Sequence, residues 1–191
     1  MKAMVMVNNY RPIQSPYKLG WYLLSDSSVT NTGKPFYLPE HYGKTVVSLT
    51  VTVRISRLGK SISPEFASRY YSEYAPALHF TLPEYAESLK ESGLPLDPSV
   101  SFDRSLFVGD FLQKNDTEAL KLNINGEEKS EFRFAMLHQS IDDSLFSISR
   151  LNTMKIGDLL VPGLSGFIEI KEGDFLEVMK GENRLFHVKV K

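Results

Sequence analysis

The 191-residue chain contains no cysteine. That excludes disulfides and thiolate-ligated metals, and it is consistent with a reducing compartment. It has no apolar run near the roughly 20 residues a membrane helix needs. The apolar run near the N-terminus is five residues, Ala3 to Val7, too short for a signal peptide, so the expectation is a cytoplasmic protein. There is no excess of either charge: the net charge is −1, with 22 basic and 23 acidic residues scattered along the chain. A nucleic-acid or anionic-membrane footprint is therefore not expected. There is no low-complexity tract. At 42% hydrophobic and 24% charged, residues 1–191 are expected to form one globular domain with a sizeable core.

The most structured pattern lies near the C-terminus. KIGDLLV (Lys155 to Val161) and KEGDFLEV (Lys171 to Val178) repeat one unit, a Gly-Asp turn running into an apolar strand. Glycine takes positive φ cheaply and aspartate caps such turns. PGLSG (162–166) joins the two units as a flexible loop expected to pass near a pocket, and Leu185 to Val190 alternates as a last strand. Upstream, Val5 to Tyr10 reads as a short strand. Val47 to Ser56 alternates cleanly, with Leu49, Val51, Val53 and Ile55 on a core face and Ser48, Thr50, Thr52 and Arg54 on the other. Glu118 to Asn125 alternates into Asn125-Gly126, a type I′ hairpin signal.

Three helices are expected. Ser63 caps the first, with Pro64 at its first position and Ala67, Tyr70, Tyr71 and Tyr74 on one face until Pro76 ends it. Thr81 and Glu84 read as a capping box for the second, with Tyr85 and Leu89 inward and Gly93 as its stop. Ser140 caps the third, with Ile141, Leu145 and Ile148 on one face. Pro95 and Pro98 mark a loop. Gly59-Lys60-Ser61 ends like a Walker A motif, but Arg54 stands where its first glycine belongs, so a turn is the better reading. His138, Ser140 and Asp142 are too crowded around a helix start to act as a triad.

Several phrases together resemble the fumarylacetoacetate hydrolase family: Asn9-Tyr10, Trp21 to Ser28, Phe36 to Pro39, Gly59 to Pro64, Ser101 to Asp103, Asn125-Gly126-Glu127, and the paired Gly-Asp units with Gly163 and Gly166. The resemblance implies a mixed α/β, β-rich fold, a β-roll with a few flanking helices, forming a homodimer. In active members it implies a pocket with magnesium or manganese chelating an oxo acid. It places that family's metal-binding carboxylates at Ser48, Thr50 and His79, a histidine at Ile13, lysines at Leu24 and Val100, and a substrate-binding threonine at Arg133.

Hydroxyls supply no charge against a divalent ion, isoleucine cannot transfer a proton, and valine cannot neutralise an oxyanion. The expectation is thus a diverged relative, a pseudoenzyme with no catalytic residue, no metal and no cofactor. It would bind or interact through a small organic anion, an oxo acid among them. Ser48, Thr50 and His79 would line its pocket, and Arg133, Asp103 and Tyr10 are candidate ligand-binding residues, Arg133 as an anion-binding group. The alternative is a magnesium- or manganese-dependent hydrolase, isomerase or decarboxylase of acylpyruvate-type oxo acids. Its ligands would come from elsewhere, such as Glu40, His41, Asp103 or Glu131. A dimeric structural domain without a small ligand is a third reading.

Overall fold

The computed structural model describes residues 1–12, 18–31, 33–114 and 117–191. The strands in chain order are β1 (Ala3–Val7), β2 (Gly20–Leu24), β3 (Val29–Asn31), β4 (Thr45–Ile55), β5 (Tyr71–Thr81), β6 (Leu106–Val108), β7 (Leu112–Gln113), β8 (Leu120–Ile124), β9 (Glu127–Phe132), β10 (Leu159–Val161), β11 (Ile168–Ile170), β12 (Phe175–Lys180) and β13 (Asn183–Lys189). Among the described residues four short α-helices flank them: α1 (Pro64–Ala67), α2 (Pro83–Glu91), α3 (Asp97–Val100) and α4 (Ile141–Ser149). This is the expected mixed α/β, β-rich architecture.

A large sheet runs β2-β1-β10-β4-β5-β6-β3, with β11 added to β4 and β7 to β5. A second, antiparallel sheet runs β13-β12-β8-β9. The main core lies between them. Val47, Leu49, Val51 and Val53 of β4 and Leu78 and Phe80 of β5 pack into one cluster with Leu120, Leu122, Phe132, Leu176 and Val178 of the smaller sheet. Phe36 stacks on Phe80 at 3.9 Å within it. The opposite face of β4 and β5 carries a smaller apolar cluster of Ala75, Ala77, Val5, Leu159 and Val161. Both faces of the central strands are therefore closed, and Ser48, Thr50 and Thr52 are fully buried. The alternation along β4 marks two chemically different buried faces, not one inside and one outside.

The local signals of the C-terminal half form as expected. Asp158 and Asp174 each accept a backbone N–H three residues upstream, from Lys155 at 2.8 Å and Lys171 at 2.9 Å. Gly157 and Gly173 between them have φ near +90°, where a side chain would be strained. Asn125 and Gly126 both have positive φ and join β8 to β9. Ser140 Oγ accepts the Asp143 N–H at 3.1 Å and caps α4.

The tyrosine-bearing helix does not form beyond Ala67. From Tyr71 the chain is a strand, 11 residues long, paired with β4 along its length. Pro76 sits inside it, where the outer neighbour of β5 changes from β7 to β6. Its carbonyl accepts the Gly109 N–H at 2.9 Å on that outer side, so the missing proline donor falls in the gap between two ladders. The capping box at Thr81 is not made either. Thr81 ends β5, α2 starts at Pro83, and Glu84 accepts the Lys44 N–H at 3.3 Å. Pro98 lies in α3, within the stretch read as a loop.

Candidate functional site

Ser48 of β4 lies directly opposite His79 of β5, and Thr50 lies opposite Ala77. Opposed residues and those two apart share a face, so the three positions singled out from the sequence stand together, all fully buried. His79 Nδ1 is 2.9 Å from the Ser105 carbonyl oxygen, an acceptor only, so Nδ1 carries the proton. Nε2 then accepts the Tyr22 hydroxyl proton at 2.7 Å. Burial pushes the His79 pKa down to about 4, although the Ser105 carbonyl works the other way. The ring is neutral near pH ~7 with both nitrogens engaged. Burial likewise pushes the Tyr22 phenol above its ordinary value.

The 162–166 loop crosses this face and is pinned, not loose as the sequence implied. Thr50 Oγ1 donates to the Gly163 carbonyl. Ser165 donates its N–H (3.1 Å) and its hydroxyl (2.7 Å) to the Leu49 carbonyl. Asn9 Nδ2 donates to the Pro162 carbonyl at 2.6 Å and to the Gln139 carbonyl at 3.1 Å, while Asn9 Oδ1 accepts the Gln139 N–H at 2.6 Å. Asn9, which the sequence marked only as part of a turn, thus ties β1, the entry to α4 and the loop together. A Cβ on Gly163 would come within 2.9 Å of Leu137 Cδ2 and 3.3 Å of the Asn9 carbonyl oxygen, so a larger residue here would press on the Leu137 side chain and the Asn9 backbone. Ser48 Oγ has no hydrogen-bond partner among the described residues.

Beside this cluster is a cavity of about 540 Å³. Val46 and Thr81, the next opposed pair along the same face, form one side of it. Tyr22, Val7, Leu164 and Phe167 form another, and Leu82 and Ala86 with Leu96, Ser99 and Val100 form the wall from α2 and α3. Ser48, Thr50 and His79 are not among its lining residues; Tyr22, which is, bonds His79. Tyr22 is the residue the sequence reading passed over. It entered only within the Trp21 to Ser28 resemblance, and nothing local tied it to a histidine 57 positions away.

The remaining candidates stand elsewhere. Tyr10 stacks on Phe132 at 5.0 Å, donates to the Glu131 carbonyl and accepts the Arg133 N–H at 2.9 Å. Arg133 Nε pairs with the Glu131 carboxylate at 2.6 Å, and that bond holds Glu131 below the usual carboxylate range. Asp103 is exposed and does not line the cavity. Glu40 and His41 lie 3.8 Å from each other and are both about nine-tenths exposed. The Ile13 position lies outside the described residues. Ser140 caps α4 and Asp142 accepts the Tyr71 hydroxyl at 2.9 Å, so neither serves a triad with His138.

The model of the fumarylacetoacetate (FAA) hydrolase C-terminal family matches residues 4–182. The chain belongs to the fumarylacetoacetate hydrolase family. The mitochondrial oxaloacetate tautomerase FAHD1 of Mus musculus is 28% identical over 162 residues, covering 82% of this chain and 73% of the relative. The oxaloacetate tautomerase YcgM of Escherichia coli is 22% identical, covering 82% of this chain and 75% of the relative. A fumarylpyruvate hydrolase from Pseudomonas aeruginosa, solved in complex with Mn2+ and pyruvate, has the same fold, with a TM-score of 0.89 at 19% identity, covering 100% of this chain and 89% of that one.

The residues of this fumarylacetoacetate hydrolase family member do not fit a divalent cation on the Ser48 face. Magnesium and manganese need several oxygen donors, carboxylates foremost. Here the donors would be two neutral hydroxyls, one already bonded to a carbonyl, and an imidazole whose only lone pair accepts from Tyr22. Among the described residues, no three His, Asp or Glu side chains are grouped so as to hold a metal ion.

Proposed function

We propose that this chain is a binding member of the family, taking a small organic molecule in the 540 Å³ cavity without a divalent cation at Ser48, Thr50 and His79. One observation carries the reading: the His79 ring is buried and neutral, and both its nitrogens are committed within the protein. A cation there would have to break the Tyr22 bond and shed water for donors carrying no charge. The cavity, in contrast, has the size typical of small-molecule sites. A homodimer in the cytoplasm, expected from the sequence, belongs to this proposal. Among the described residues no helix is long and apolar enough to cross a membrane.

The second reading is a magnesium- or manganese-dependent enzyme acting on an oxo acid. The names of the curated relatives favour it, since two oxaloacetate tautomerases align over 82% of this chain. The test is a tautomerase assay with oxaloacetate and a cleavage assay with an acylpyruvate, each with excess Mn2+ or Mg2+. No turnover above the metal-only blank, together with saturable binding of a small molecule, supports the binding reading. Metal-dependent turnover abolished by His79→Ala supports the second.

A further inference from the structure

The cavity is close to the family's expected site, but the chemistry of its walls is opposite to what an oxo acid needs. Its side walls are Val7, Val46, Leu82, Ala86, Leu164 and Val100. Among the described residues no Lys or Arg lines it, and the one charged side chain that does is Asp97, an exposed carboxylate. Val100 stands where the family resemblance calls for a lysine. A carboxylate ligand placed here loses hydration, finds no cation and feels Asp97, all of which oppose its binding. At the mouth, Phe167 is 62% exposed and Leu96 46% exposed, so the apolar lining continues to the surface. The hydrogen-bonding groups that line it, Thr81, Ser99 and Tyr22, are uncharged, and Ser99 and Tyr22 are already committed to the Leu96 carbonyl and His79.

We infer that the cavity takes an uncharged organic molecule with a mainly apolar body, not the anionic oxo acid expected from the sequence. This rests on the proposal that the cavity is a ligand site. The ligand gains by removing apolar surface from water, and its selectivity comes from what the walls penalise: charge.

The test titrates the full chain with Nile red, a neutral apolar fluorophore, and adds pyruvate as competitor. Saturable one-site binding is expected, undisturbed by millimolar pyruvate. Ala86→Trp, which fills the cavity from α2, weakens it by at least about tenfold. Val100→Phe is a second filling variant on α3 with the same expected effect, so a folding failure of one leaves the other. Val100→Lys adds the missing cation, and pyruvate then displaces the dye. If pyruvate displaces the dye from the wild-type chain and the filling variants abolish pyruvate binding, the uncharged-ligand inference is wrong while the binding function stands. If neither dye nor pyruvate binding responds to filling the cavity, both fail.

Discussion

Lowering the pH from ~7 to ~4.5 should destabilise this protein through His79 in particular. In the unfolded chain the imidazole takes up a proton near an ordinary histidine's 6.5, whereas in the folded chain burial delays this to about 4. Between those values the unfolded state binds more protons, so stability falls as the pH drops through the window and levels off below it. At about 1.4 kcal/mol per pKa unit, the full effect is about 3 kcal/mol. About 2 kcal/mol of it should be lost between pH ~7 and pH ~4.5. His79→Gln keeps a donor for the Ser105 carbonyl and an acceptor for the Tyr22 hydroxyl but does not titrate. The assay is urea denaturation of both proteins at both pH values. Carboxylates common to both proteins cancel in the comparison. Asp158 is one: burial raises its pKa, but Lys2 and the Lys155 and Lys2 N–H groups outweigh it and hold the group below its usual range. Its contribution, present above that range, is lost only as the pH falls below the His79 window. The wild type should lose about 2 kcal/mol more than His79→Gln over this interval. Equal losses would refute the reasoning, because they would mean His79 protonates as easily folded as unfolded.

Thr50→Val leaves the buried Gly163 carbonyl without its side-chain donor and should cost about 1–3 kcal/mol in urea denaturation, with faster exchange of the Ser165 amide. Asn9→Ala removes three hydrogen bonds joining the loop, β1 and the entry to α4. It should cost about 3 kcal/mol, measured the same way. Tyr22→Phe strips the proton donor from His79 Nε2 and should destabilise by about 1–2 kcal/mol. In that variant the C–H resonances of His79 should shift at neutral pH, and an unchanged His79 spectrum would contradict the assigned tautomer.

Local turn chemistry was the most legible part of this fold. The Gly-Asp units, the Asn125-Gly126 hairpin and the Ser140 cap each depend on a few adjacent residues, and each forms in place. The β5 strand was not legible. Ala67, Tyr70, Tyr71 and Tyr74 fall by coincidence at helical spacing, and Pro76 argues against a central strand unless the adjoining ladder is known to break there. Thr81 and Glu84 had the spacing of a capping box, but pairing of Thr81 with Val46 took precedence. At the site, the shared face of Ser48 and Thr50 followed from period two. Their burial did not, because the cover comes from β1, β2, β10 and the 162–166 loop, remote in sequence. The Tyr22–His79 bond was invisible for the same reason.

Whether this protein holds a divalent cation turns on the chemistry of the Ser48–Thr50–His79 face. The most direct test is titration of Mn2+ into the purified full chain, read by the loss of the free-ion electron paramagnetic resonance signal. The prediction is no stoichiometric binding up to millimolar manganese, with wild type and His79→Ala giving superimposable curves. One tightly bound ion per chain, lost in His79→Ala, would contradict it.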